Sequence, residues 1–71
     1  MTIKTKNEIW FIRPGDVIVL STASSMISLE RAPGKKYVLV QYINCDRAKE
    51  VYDEIWDAIK AGQDWYEMPE I

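Results

Sequence analysis

The sequence predicts an α+β fold: a small antiparallel sheet of about four strands, one C-terminal helix packed on it, and an extended C-terminal tail. Three observations carry that reading. Short β-branched and aromatic runs alternate with Pro-Gly turns up to residue 43. The apolar spacing then switches to the period of a helix over residues 45–61. The last stretch is aromatic and reaches Met68-Pro69, which suits a docked extended segment. At 71 residues the chain is expected to form a single domain, 1–71.

Ile9-Trp10-Phe11-Ile12 is the first apolar run, closed by Arg13-Pro14-Gly15-Asp16. Pro presets φ at the first central turn position and Gly accepts positive φ at the second, so these four residues read as a tight turn. Val17-Ile18-Val19-Leu20 is apolar on both faces, the pattern of a strand covered on both sides. A loop with Ser21, Thr22, Ser24 and Ser25 follows. Met26-Ile27-Ser28-Leu29-Glu30-Arg31 then alternates, with Ile27 and Leu29 on one face. Ala32-Pro33-Gly34-Lys35 is a second turn. KYVLVQYI, residues 36–43, is the most strand-like run, and its β-branched and aromatic content predicts a central position.

Asn44 is a good N-cap, and Asp46 sits where the helix dipole favours an anion. Ala48, Val51, Tyr52, Ile55 and Ile59 line one helical face, with Trp56 on its border and charged residues opposite. Gly62 marks the helix end. Tyr66 and Met68 would share one face of the tail, which docks on the helix–sheet junction or adds an edge strand.

Composition narrows the function. A core of this size supplies about 3–5 kcal/mol of net stability. Three Trp, four Tyr and one Phe exceed what it can bury, so a homo-oligomer is expected, with Trp56, Trp65 and Tyr66 at the interface. One cysteine and no histidine exclude an internal disulfide, disfavour structural zinc and remove the commonest general base. No glycine-rich phosphate loop is present, and the helical acids, interleaved with Arg47 and Lys49, read as a solvated face. The expectation is a protein that is not an enzyme, with no cofactor, no metal and no catalytic residue. The N-terminus lacks a signal peptide's apolar run, and no segment approaches the roughly 20 apolar residues of a membrane span. With a lone free cysteine, this predicts a soluble cytoplasmic protein.

The net charge of −2 hides an asymmetry. Residues 1–44 carry six basic against three acidic side chains, for +3, and residues 45–71 carry three against eight, for −5. An anionic ligand would favour the first part. Arg13, Arg31 and Lys36 are the candidates for phosphate, Ser24 and Ser25 for polar contacts, and Trp10 and Tyr37 for base stacking. Together they describe a site for a small nucleotide-like ligand. In a meander the Pro-Gly turns lie at one end and the hydroxyl loop at the other, so only a second subunit or a strongly curled sheet would unite them. Otherwise the hydroxyl loop is a plain hairpin connection.

YINCDRAKEVYDEIWDAIKAG followed by WYEMPE, within residues 42–70, resembles the C-terminal half of small proteins from phages and mobile elements of Firmicutes. WFIR at Trp10 to Arg13 is similar to the Trp-Ile-Arg segment near which they begin. The expected size and assembly also resemble phage-encoded sponges, which bind a nucleotide second messenger of bacterial immunity without cleaving it. The resemblance implies an anti-defence sponge: a non-enzymatic oligomer that sequesters a small anionic, nucleotide-derived ligand. The alternative is a protein-interaction module or inhibitor acting through Asp53, Glu54, Asp57, Trp56 and the aromatic tail. Binding to single-stranded nucleic acid is disfavoured by the net acidic chain.

Overall fold

A computed structural model describes residues 1–32 and 34–69. Its elements are β1 (Thr2–Lys4), β2 (Ile9–Phe11), β3 (Val17–Ser21), β4 (Met26–Arg31), β5 (Lys35–Gln41), α1 (Cys45–Lys60) and β6 (Trp65–Glu67). The class is α+β. Among the described residues, however, six strands form two three-stranded sheets instead of one sheet of about four. The terminal sheet has the order β2-β1-β6, with β1 antiparallel to β2 and parallel to β6. The meander sheet has the order β3-β4-β5 and is antiparallel throughout. The tail therefore adds an edge strand, and its partner is the short N-terminal strand β1.

Local chemistry explains the turns and the helix. At the first predicted turn Gly15 adopts φ +92°. The Asp16 amide donates to the Arg13 carbonyl at 3.0 Å, and the Arg13 amide donates to Asp16 Oδ2 at 2.8 Å. Pro33, in the second predicted turn, lies outside the described residues. Asn44 caps α1 from an extended conformation, its Oδ1 accepting from the Arg47 amide at 2.8 Å. At the far end Ala61 is the C-cap and Gly62, at φ +74°, follows it. The Gly62 amide donates to the Ile59 carbonyl and the Gln63 amide to that of Ala58, which is a Schellman closure.

The core lies where α1 meets the inner faces of both sheets. Ile3, Ile18, Ile27, Leu29 and Leu39 pack with Ala48, Val51 and Ile55 of the helix and Met68 of the tail. Two strand environments differ from expectation. β4, not β5, is the central strand of the meander, and Lys35, Lys36, Tyr37 and Val38 are exposed along β5. Strand-like composition reports a pleated, half-buried surface and does not say which strand finds two neighbours. β3 buries Ile18 inward, leaves Val17 exposed and half-buries Val19, so its outer face is only partly covered. Its edge is partly closed by Tyr52, whose hydroxyl donates to the Ile18 carbonyl at 3.5 Å. Between Ile27 and Ser28 the register slips, so that Leu39 is the extra residue of a β-bulge and turns into the core.

Among the described residues no ladder joins the two sheets, yet a side chain of β2 meets one of β5. The Trp10 and Tyr37 rings meet with centroids 5.2 Å apart. Arg31, at the end of β4, donates to the outward Phe11 carbonyl at 2.8 Å. The meeting of β2 and β5 is a seam, held by side chains.

Candidate functional site

The seam gathers most of the sequence-predicted residues. Trp10 and Tyr37 pack on one another across it. Arg31 is engaged within the fold, with Nε 3.1 Å from Asp16 Oδ1 and Nη2 2.9 Å from Oδ2. This fork holds the Asp16 carboxyl below the usual carboxylate range, the Arg31 hydrogen bonds acting most and the Arg13 amide next. The guanidinium is in turn held more firmly charged, first by its bonds to Asp16. Arg13 and Lys36 are exposed, and Lys36 stands opposite Glu30 in the ladder.

Ser24 and Ser25 lie at the other end of the meander, where Ser21, Met26 and Gln41 align. Their groups serve the loop. Ser24 Oγ donates to Ser21 Oγ at 2.8 Å, Gln41 Nε2 donates to the Ser24 carbonyl, and the Tyr42 amide donates to that of Ser25. Ser25 itself takes φ +54°, a conformation that tight turns ask of a residue. One chain thus separates the two serines from the cationic turns along the length of the strands.

The three expected interface residues divide. Trp65 is exposed on β6, and Trp56 is exposed on α1 with its ring edge-on to Tyr52 at 6.3 Å. Tyr66 points the other way, packs against the core, and donates its hydroxyl to Glu54 Oε1 at 2.8 Å. Burial and then the Glu54 carboxylate push the Tyr66 phenol far above its ordinary range. Burial also raises Tyr42, whose hydroxyl donates to the Pro69 carbonyl at 2.7 Å. These two phenols fasten the tail to the helix and to the end of β5.

Two further features were not read from the sequence. The first is a cleft of about 430 Å³ between the turn at residues 5–8 and Leu39, Val40, Met68 and Pro69. Its turn is closed by the Thr5 amide donating to the Glu8 carbonyl, and the Glu8 amide to Thr5 Oγ1. The polar run Thr5-Lys6-Asn7-Glu8 between Ile3 and Ile9 was the available signal for that hairpin.

The second is an apolar ridge. Strand side chains alternate, so Ile9 and Phe11, flanking Trp10, share the outer face of β2, and Val38 lies on the outer face of β5. Phe11 is 68% exposed, Ile9 55% and Val38 50%. Phe11 lies in one row with Thr2 and Trp65, and Ile9 in the next with Lys4 and Glu67. Arg13, two residues beyond Phe11, and Lys35 and Lys36, at the start of β5, are exposed.

Among the described residues no group of three acidic or cysteine side chains is placed to hold a metal ion. Among the described residues no helix is long and apolar enough to cross a membrane. Comparison with protein families, curated proteins and solved structures finds no match.

Proposed function

We propose that this protein is a non-enzymatic binding module that receives a protein surface on the ridge of Ile9 and Phe11, with Trp65 in the Phe11 row. The carrying observation is the exposure of Phe11 and Ile9 on a strand whose intervening Trp10 packs inward. Exposed aromatic and aliphatic anchors bordered by charges of both signs, among them Lys4, Arg13 and Glu67, suit a partner that offers apolar residues. The test compares tagged wild type with Phe11→Ala and Trp65→Ala as bait. The expected result is one stoichiometric partner retained by wild type and lost by Phe11→Ala, with unchanged circular dichroism. Equal recovery by all three baits would count against the ridge.

A second reading follows from the grouping of Trp10, Arg13, Arg31, Lys36 and Tyr37 at one end of the seam. In that reading an assembly sequesters a small nucleotide-derived anion there, as the phage anti-defence sponges do. Calorimetry against cyclic nucleotides and cyclic ADP-ribose derivatives separates the two. Sub-micromolar binding with intact ligand, lost in Arg13→Ala and Lys36→Ala, would favour sequestration. Flat titrations would favour the protein-binding module.

A further inference from the structure

We infer that the outer face of the β3-β4-β5 meander is the contact surface of a two-fold dimer, its occupant being the same face of a second copy of this chain. This surface uses other residues than the ridge and does not depend on it. Side chains directly opposite one another in a ladder share a face, so the register writes out the side turned away from α1. One row holds Val17, Glu30 and Lys36, and the next holds Val19, Ser28 and Val38. A third row, towards the hydroxyl loop, carries no charge. Ile18, Ile27 and Leu29 alternate with these residues and are buried in the core. Val17 and Val38 are about half exposed, whereas Ser28, between Val19 and Val38, is 1% exposed and forms the floor of a recess. Its Oγ is already out of water without a partner, so covering the recess desolvates no further polar group there.

Two neighbouring pairs on this face are complementary in the same direction. Glu30 on β4 stands beside Lys36 on β5, and these are the only charges in the three rows. Both are exposed, and among the described residues neither joins an ion pair. One row along, the recess over Ser28 on β4 stands beside the projecting Val38 on β5. A two-fold axis lying along the strands, midway between β4 and β5, sets β4 of each copy over β5 of the other. Glu30 then faces Lys36 of the second copy, and Val38 enters the recess over its Ser28, each contact being made twice. Stacked sheets lie about 10 Å apart and within about 30° of alignment, so the rows near the axis stay matched. Other two-fold axes lose the match. An axis along β4 puts Glu30 on Glu30, and an axis across the strands sets the charged row against the uncharged one. The offsets of charge and of shape share one axis, and a copy of the same face supplies both at once.

The face is small, so the dimer belongs to the weak class, and sedimentation equilibrium up to about 1 mM is the measurement. Glu30→Lys or Lys36→Glu alone brings like charges together at both contacts and should raise the dissociation constant at least about tenfold. Combining the two substitutions in one chain sets opposite charges across the axis again and should return the constant to within about threefold of wild type. Ser28→Val fills the recess and should disperse the dimer, while Ser28→Ala, which keeps it open, should not. Circular dichroism reports the fold of each variant, and the charge swap keeps the test decisive should Ser28→Val fail to fold. Wild type that stays monomeric at about 1 mM, single charge variants that associate as well as wild type, or a double variant no better than the singles would overturn the inference. Self-association that survives both single charge variants and is lost in Phe11→Ala would place the copies on the ridge and overturn it as well.

Discussion

Asp16 is held from two sides, by the Arg31 guanidinium and by the Arg13 amide, and its side chain is 3% exposed. That residue ties the β2–β3 turn to the end of β4. Arg31 extends the tie to the Phe11 carbonyl, so one carboxylate organises the turn end of the seam. Because its folded pKa lies below the unfolded value, its stabilising effect is full above the ordinary carboxylate range. The effect is lost as pH falls through the folded value. Asp16→Asn should therefore be less stable than wild type at pH 7 and lose less on acidification to pH 3. Urea midpoints at the two pH values check this, and parallel losses in both proteins would contradict it. The Asp16 turn was legible from Pro14-Gly15, because turn chemistry is local. The partnership with Arg31 was not, since it depends on strands β3 and β4 pairing Val17 with Glu30.

The helix is the element most completely written in the sequence. Asn44, Asp46, the apolar stripe and Gly62 all act within a turn or two of their own position. Gly62 also gives a clean prediction. A Cβ there would meet no heavy atom within 4 Å, so Gly62→Ala tests backbone conformation alone. At φ +74° the substitution should lower stability by about 1 kcal/mol, measured by urea denaturation. A neutral result would mean that the Schellman closure reforms without positive φ. The strands were less legible. β1 contributes one buried side chain, Ile3, between Thr2 and Lys4, which is too little pattern to stand out. The ridge was hidden for a related reason: Ile9-Trp10-Phe11-Ile12 is apolar throughout, and only pairing with β1 decides that Trp10 goes in and Phe11 goes out.

At the scale of the whole molecule, one small core serves two sheets and a helix. Ile55 is fully buried at their junction, and Ile55→Ala should cost about 2–5 kcal/mol. Against the roughly 3–5 kcal/mol available to a domain this small, that loss should abolish a cooperative thermal transition by circular dichroism. A variant that still melts cooperatively near the wild-type temperature would show the core to be larger than these residues. The class and the helical half followed from composition and period. The division into two sheets did not, because it rests on contacts between distant segments, above all the parallel pairing of Thr2 with Trp65. That pairing has a consequence for biosynthesis. Joining β1 to β6 closes a loop that spans almost the whole described chain, and such contacts form slowly. During translation β1 and β2 leave the ribosome early, but β1 lacks its second neighbour until β6 clears the exit tunnel. The meander can assemble while synthesis continues. Completion of the terminal sheet, and with it the outer row that holds Phe11 and Trp65, therefore follows assembly of the meander.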